Sequence, residues 1–487
     1  MEAVLDRVIA NLSGASPVQR GGLPRNLIIM SHDFNPSVLA SMDLESVKGL
    51  ALEAGGRTSH TAILARSLGI PAVMEMTGFL AEVATGDPVL LDGDRGQLVL
   101  NPTSERLDSA RIRLEECSLM AEPPAATAVP ARTRDGVAVT LKANTELPME
   151  VRMARRCAAE GIGLFRSELL FLRCPGRFPT MASQLETYSM LAREMHPYPV
   201  AIRTLDLGGD SNDLTTGVSN RQNPVMGLRG IRWSLVRQDL FATQIEAILR
   251  AGASGKVELV LPMIASVEEV REAKAVIARI SEALAAAGDL PGIPVAIGAM
   301  IEVPAAVLAL DGLAREVDFL CVGTNDLTQY LLAVDRGNPS VSHLFKPLHP
   351  AMLQSLQRIA AVAKECGKPV RICGEMCANP FFAVLLLGMG FTELSMNSTS
   401  IPTVRKIIKE ISLASAADIS AQALRFQTAG ETAGFLLSEV GRLVTMDLAP
   451  YVREVVGAAA SDRATPALEP PWTAAQESCS HRSARRS

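Results

Sequence analysis

The stretch Gly55-Gly56-Arg57-Thr58-Ser59-His60-Thr61-Ala62-Ile63-Leu64-Ala65-Arg66 places one histidine between a glycine turn and an apolar-periodic run. Thr58 and Ser59 are helix-capping types, and Thr61 to Leu68 has the pattern of a helix. A side chain at that point lies over unpaired backbone N–H groups, where anions are favoured. An imidazole there can carry a phosphoryl group, because the helix end offsets part of the charge it receives. The motif by itself also suits an ordinary capped helix with a surface histidine, since glycine turns before helices are common. The rest of the chain must decide.

A second set of residues suits the same chemistry. Glu302 and Asp326 are hard oxygen ligands for one Mg²⁺ that water and substrate would complete. Arg166, Arg203 and Arg336 are three cations whose guanidinium forks match phosphate and carboxylate oxygens. Cys373 is a polarizable acid, or else a small buried hydrophobe, the commoner fate of cysteine. Magnesium, three arginines and a thiol acid describe a site for a small, multiply charged phosphate-carboxylate. The thiol could protonate a carbon as the phosphoryl group leaves.

The elements that must position these residues follow from the apolar pattern. From about Gly136, short apolar runs alternate with long amphipathic stretches, which argues for a parallel sheet. The spacing predicts eight strands: Val137–Lys142, Gly161–Phe165, Val200–Leu205, Glu258–Met263, Val295–Ile301, Asp318–Val322, Val370–Cys373 and Thr392–Met396. Eight such units point to a (β/α)₈ barrel, an α/β architecture, rather than a doubly wound open sheet. Barrel enzymes place their chemistry at the C-terminal ends of the strands. In strand order, those ends offer Asn144; Arg166 and Glu168; Arg203 and Asp206; Glu302; Asn325, Asp326 and Arg336; Cys373 and Glu375; and Asn397. Chance would scatter them over both ends.

Before the barrel, short strands are expected at Asn26–Met30, Gly49–Leu52, Ala72–Met74, Pro88–Asp92 and Gln97–Leu100, with the histidine helix between the second and third. Ser104 to Leu119 has a helical pattern, and Ala121 to Arg134 is an Ala/Pro-rich linker. The chain divides into an N-terminal helix remnant (1–25), a small domain (26–103), a helical linker (104–135), the barrel (136–455) and a disordered tail (456–487).

With 487 residues, two or three domains are expected. A net charge of -5 gives no basic surface for nucleic acid. No apolar run reaches the length of a membrane span, and the N-terminus lacks a hydrophobic signal region. The eight cysteines are scattered, and Cys373 and Cys377 do not form a Cys-x-x-Cys, so reduced thiols in a cytoplasm are expected.

Six motifs together carry a family resemblance. They are Gly55–Arg66, Gly161-Ile162-Gly163-Leu164-Phe165-Arg166-Ser167-Glu168, Arg203-Thr204-Leu205-Asp206-Leu207-Gly208-Gly209-Asp210, Asn223-Pro224-Val225-Met226-Gly227-Leu228-Arg229, Gly323-Thr324-Asn325-Asp326-Leu327-Thr328-Gln329-Tyr330 and Ile372-Cys373-Gly374-Glu375. From about Asn26 to Tyr451 the chain resembles the Enzyme I family of the bacterial phosphotransferase system, the phosphoenolpyruvate–protein phosphotransferases. The resemblance implies that His60 is phosphorylated by phosphoenolpyruvate, with Arg166, Arg203, Asn325 and Arg336 binding that substrate. It implies that Glu302 and Asp326 hold Mg²⁺ and that Cys373 protonates the enolate to give pyruvate. It further implies a small phosphohistidine domain that swings to and from the barrel, a phosphocarrier partner of the HPr type, and a homodimer through the barrel. Pyruvate phosphate dikinase and phosphoenolpyruvate synthase share much of this but need a large nucleotide-binding domain, for which the chain has no room.

Two departures matter. The family normally inserts a helical HPr-docking subdomain before the histidine motif, and a self-supporting one needs roughly 40 residues. Met1 to Leu12 resembles only the end of the helix leading out of it, and Ser211 stands where the family often has Lys. The expectation is therefore either an active phosphotransferase, or a truncated or regulatory homologue that binds phosphoenolpyruvate without passing phosphate to HPr.

Overall fold

The computed structural model describes residues 27–33, 46–54, 61, 65, 70–93, 96–111, 130–172, 178–207, 226–289, 294–336, 338 and 340–457. Continuous apolar runs bounded by turns give eight parallel strands buried on both faces. They are β7 (Ala138–Thr145), β8 (Ile162–Arg166), β9 (Val200–Arg203), β10 (Val257–Leu261), β11 (Ala296–Ile301), β12 (Phe319–Val322), β13 (Val370–Ile372) and β14 (Glu393–Asn397). Each pairs in parallel with the next, and β14 returns to β7 with Glu393 opposite Thr140 and Asn397 opposite Asn144. The sheet is therefore a closed eight-stranded barrel with its helices outside, and every expected barrel strand is present with its ends within three residues of the expected ones.

The inward layer comes from Leu164, Ala201, Val260, Met300, Phe319 and Cys321, on five of the strands, and from Cys373 just past β13. Apart from Phe319, small and medium side chains make up this layer. Outside, amphipathic helices cover the sheet. Val267–Ala286 starts on a capping box, with Ser266 accepting from the Glu269 N–H and the Glu269 side chain returning to the Ser266 backbone. The helix Pro380–Gly388 is apolar all round, and its residues Pro380 to Leu387 are all buried. It is sealed by the helices Leu413–Ala423 and Ala429–Leu443. Gly388 permits that seal, since a Cβ there would collide with the Ala416 carbonyl oxygen.

The small domain holds a parallel sheet of β1 (Leu27–Ser31), β2 (Val47–Leu52) and β3 (Ala72–Val73), and an antiparallel hairpin of β4 (Val89–Asp92) and β5 (Gln97–Leu100). These are the five strands that the pattern predicts. Residues 104–111 are helical and mostly exposed, while 112–129 lie outside the described residues. Composition assigns Ala131 and Arg132 to the linker, but they form a short strand, β6, antiparallel to β7. Ala131 is fully buried there, so packing against the barrel overrides the Ala/Pro composition. The expected tail, 458–487, and the N-terminal 1–26 also lie outside the described residues.

The small domain rests on the barrel through apolar contacts. Leu147, just past β7, joins Val47, Leu50, Ala65 and Ile70 in one buried cluster, with Leu169 packed against it.

Candidate active site

Parallel register sets the first two cations side by side. Arg166 ends β8, Arg203 ends β9, and the two are Cα partners. Arg166 Nη1 lies 2.6 Å from Glu146 Oε1. Arg203 is fixed by Glu168 at 3.0 Å and Asp206 at 3.1 Å, yet its Nε has no partner. Burial alone would lower the Arg203 pKa, but Glu168 and Asp206 outweigh it and hold the guanidinium above its ordinary value.

Glu302 follows β11 and is buried, with Oε1 accepting the Met263 N–H at 2.7 Å. Gly323 must lack a side chain, since a Cβ would sit 2.5 Å from Glu302 Oε2. Asn325 and Asp326 lie in the first turn of the helix Thr324–Leu332. Burial pushes the Glu302 pKa up to about 8, and the neighbouring charges of Asp326 and Asp206 add to the rise. Burial also opposes ionisation of Asp326, but Arg336, Arg229, Arg203 and Arg166 together outweigh it and keep that carboxyl below its ordinary value. Two crowded carboxylates, one costly to ionise, fit a divalent cation. They would supply two of its ligands and leave the remainder to substrate and water, as Mg²⁺ prefers. Among the described residues no group of three or more His, Cys, Asp or Glu has metal-binding geometry.

Arg336 is half-buried, with its backbone N–H donating to Gln329 Oε1 at 3.2 Å. Asn325 Oδ1 accepts the Glu375 N–H at 3.3 Å, which ties the loops after β12 and β13 together. Cys373, just past β13, is 1% exposed, and its thiol donates to the Gly163 carbonyl at 3.7 Å. Asn144 braces it by donating to the Cys373 carbonyl at 2.8 Å. Asn397, by contrast, caps the turn Ser398–Ser400.

The structure thus gathers Arg166, Arg203, Glu302, Asn325, Asp326, Arg336 and Cys373 at the C-terminal end of one barrel. His60 lies outside the described residues; Thr61 and Ala65 beside it are helical and buried. Two participants carry no role in the sequence argument. Arg229 grips Asp206 through Nε at 3.1 Å and Nη2 at 2.9 Å, and reaches Tyr330 Oη at 3.2 Å and Asp326 at 3.8 Å. Glu146 is the other. Arg229 closes the motif Asn223–Arg229 in the sequence, but only the fold brings its side chain to Asp206.

Among the described residues, Thr145 Oγ1, Glu150 Oε1, Arg203 Nε, Thr204 Oγ1, Glu258 Oε2 and Thr324 Oγ1 are buried without a hydrogen-bond partner, and all but Glu258 lie at this same end. Such atoms are rare in folded proteins, and water, an ion or a ligand can satisfy them.

Comparison with known proteins identifies the family. Residues 121–413 match the family described as "PEP-utilising enzyme, PEP-binding domain", and residues 23–96 match "PEP-utilising enzyme, mobile domain". The chain belongs to the PEP-utilising enzymes. Among them, it is 39% identical over 438 residues to a phosphoenolpyruvate-protein phosphotransferase of Bacillus sp. (strain S), covering 89% of this chain and 75% of that one. It is 38% identical to one from Haemophilus influenzae, covering 88% and 74%. It is 40% identical to a multiphosphoryl transfer protein of Xanthomonas campestris, covering 87% of this chain and 50% of that one. Among solved structures, an NMR structure of Enzyme I matches at 38% identity and a TM-score of 0.22, covering 24% of this chain and 47% of that one.

Proposed function

We propose that this PEP-utilising enzyme is a phosphoenolpyruvate–protein phosphotransferase, which moves a phosphoryl group from phosphoenolpyruvate to His60 and releases pyruvate. The observation that carries this is the side-by-side pair Arg166 and Arg203, with the buried Glu302 and Asp326 beside them at the open end of the barrel.

In this function Arg166, Arg203, Asn325 and Arg336 orient the phosphate and carboxylate of the substrate. Glu302 and Asp326 hold Mg²⁺, which as a Lewis acid would withdraw charge from the substrate oxygens. A His60 ring nitrogen attacks phosphorus, and the bond from phosphorus to the enol oxygen breaks. The enolate carbon takes the Cys373 proton, and water restores the thiol. In-line transfer asks little covalent chemistry of the protein, so positioning and charge do most of the catalysis. The small domain (26–103) and the barrel (136–455), joined by 104–135, are the moving parts. The phosphoryl group then passes to a carrier of the HPr type. The cytoplasm and a homodimer through the barrel are the setting; among the described residues, no helix is long and apolar enough to cross a membrane.

The test is incubation with labelled phosphoenolpyruvate and Mg²⁺. Acid-labile label should map to His60 and vanish in His60→Ala. Label on another histidine would refute the assignment. Adding purified HPr then separates onward transfer from loading alone.

A further inference from the structure

Glu146 is a carboxylate built into a pocket for an anion. It is the first residue past β7, and its Oε1 is 2.6 Å from Arg166 Nη1. Both side chains are largely withdrawn from solvent, at 15% and 22% exposure, so salt screens the pair only in part. Glu146 is held there from both sides. Its backbone N–H donates to Glu150 Oε2 at 2.8 Å, and the next residue, Leu147, is 2% exposed beneath the small domain.

The contact differs from the other arginine–carboxylate pairs of the site. Glu168 Oε1 is shared by Arg203 and the Asp206 N–H, so that carboxylate is tied to the backbone after β9 as well as to its arginine. Among the described residues the Glu146 side chain makes no such second bond to a backbone N–H, and it lies on the arginine assigned to the phosphoryl group.

We propose that Glu146 competes with the substrate phosphoryl group for Arg166 and so sets the affinity of the pocket. This rests on the assignment of Arg166 to phosphate binding. Phosphoenolpyruvate must displace the Glu146 carboxylate or accept its repulsion; either outcome weakens binding. Because this cost falls on the ground state and the transition state alike, it raises KM more than it lowers kcat.

Titration calorimetry of the full chain with phosphoenolpyruvate and Mg²⁺ tests this. Glu146→Gln keeps the size of the side chain and removes its charge; it should bind about tenfold tighter, equivalent to about 1.4 kcal/mol. Glu146→Ala should behave alike, and KM should fall in both without a rise in kcat. Unchanged or weaker binding in both variants, with thermal unfolding like the parent's, overturns the proposal. In an Arg166→Ala background, Glu146→Gln should give no gain; a gain there also overturns it. If Arg166→Ala by itself leaves binding intact, the assignment of the pocket fails instead.

Discussion

Glu150 offers a quantitative test of the rim loop that carries Glu146 and Leu147. Its carboxyl is 4% exposed and has one good partner, the Glu146 N–H, while Oε1 has none. Burial is the main reason its pKa rises from an ordinary 4.5 to about 8; the Glu146 N–H bond opposes the rise and the Glu146 charge adds to it. Between those two values the folded protein holds a proton that the unfolded chain has lost. Stability from this group is thus complete below about pH 4.5, falls as pH rises, and is gone above about pH 8. At about 1.4 kcal/mol per pH unit, the full window amounts to about 5 kcal/mol. Glutamine copies the neutral acid: its oxygen can take the Glu146 N–H, and it never ionises. Glu150→Gln should therefore match the parent near pH 5 and exceed it by several kcal/mol near pH 8.5. Urea denaturation followed by circular dichroism at stepped pH reads this directly. Glu302 titrates in both proteins and drops out of the difference. A gap between the two proteins that does not change with pH would show that Glu150 is ionised in the fold, and the argument would fail.

The other expectations concern the site. Asp326→Ala should abolish pyruvate formation even at high Mg²⁺, and a rate like the parent's would remove Asp326 from the metal site. Cys373→Ala should bind phosphoenolpyruvate as the parent does and turn over far more slowly, as a proton donor requires; lost binding with intact turnover would contradict that role. Arg229→Ala removes the bidentate partner of the buried Asp206 and leaves it Arg203 alone, so stability should drop by about 1–3 kcal/mol by denaturant titration. A loss below about 0.5 kcal/mol would mean that Arg203 by itself compensates Asp206.

What the sequence shows and what it hides divide along a physical line. The barrel strands are legible because a parallel strand buried on both faces must be a short apolar run, as in Val200–Arg203 or Phe319–Val322. Arg166, Arg203, Glu302, Asp326 and Cys373 are legible because each follows such a run. Glu146 is not, since its meaning depends on Arg166 of the neighbouring strand, and a single charge beyond a strand resembles any solvated loop residue. Arg371 is hidden for the same reason. It lies mid-strand in β13, its guanidinium 4.5 Å from the centre of the Phe319 ring. Its Nε is 2.6 Å from Glu393, which also takes Lys142 at 2.6 Å. Its Nη2 is 2.7 Å from Glu258, with the distance but not the angle of a hydrogen bond. The four charges come from β13, β14, β7 and β10, and only closure of the barrel brings them together. Four charged residues inside apolar strands, two of each sign, were the available signal.

That quartet also sets the two ends of the barrel apart. Below Cys373, two cations face two carboxylates, and the interior charge cancels where it stands. A buried set of this kind contributes little net stability, but it discourages any register that would separate its members. At the other end the balance is left open. Among the described residues Arg203 Nε and three threonine hydroxyls lack partners, and burial and acidic neighbours raise the pKa of Glu302. Desolvated groups that the fold does not satisfy cost stability unless something else satisfies them. The barrel is thus neutralised from within at one end and completed by a charged ligand at the other, and Glu146 decides how much that ligand must overcome.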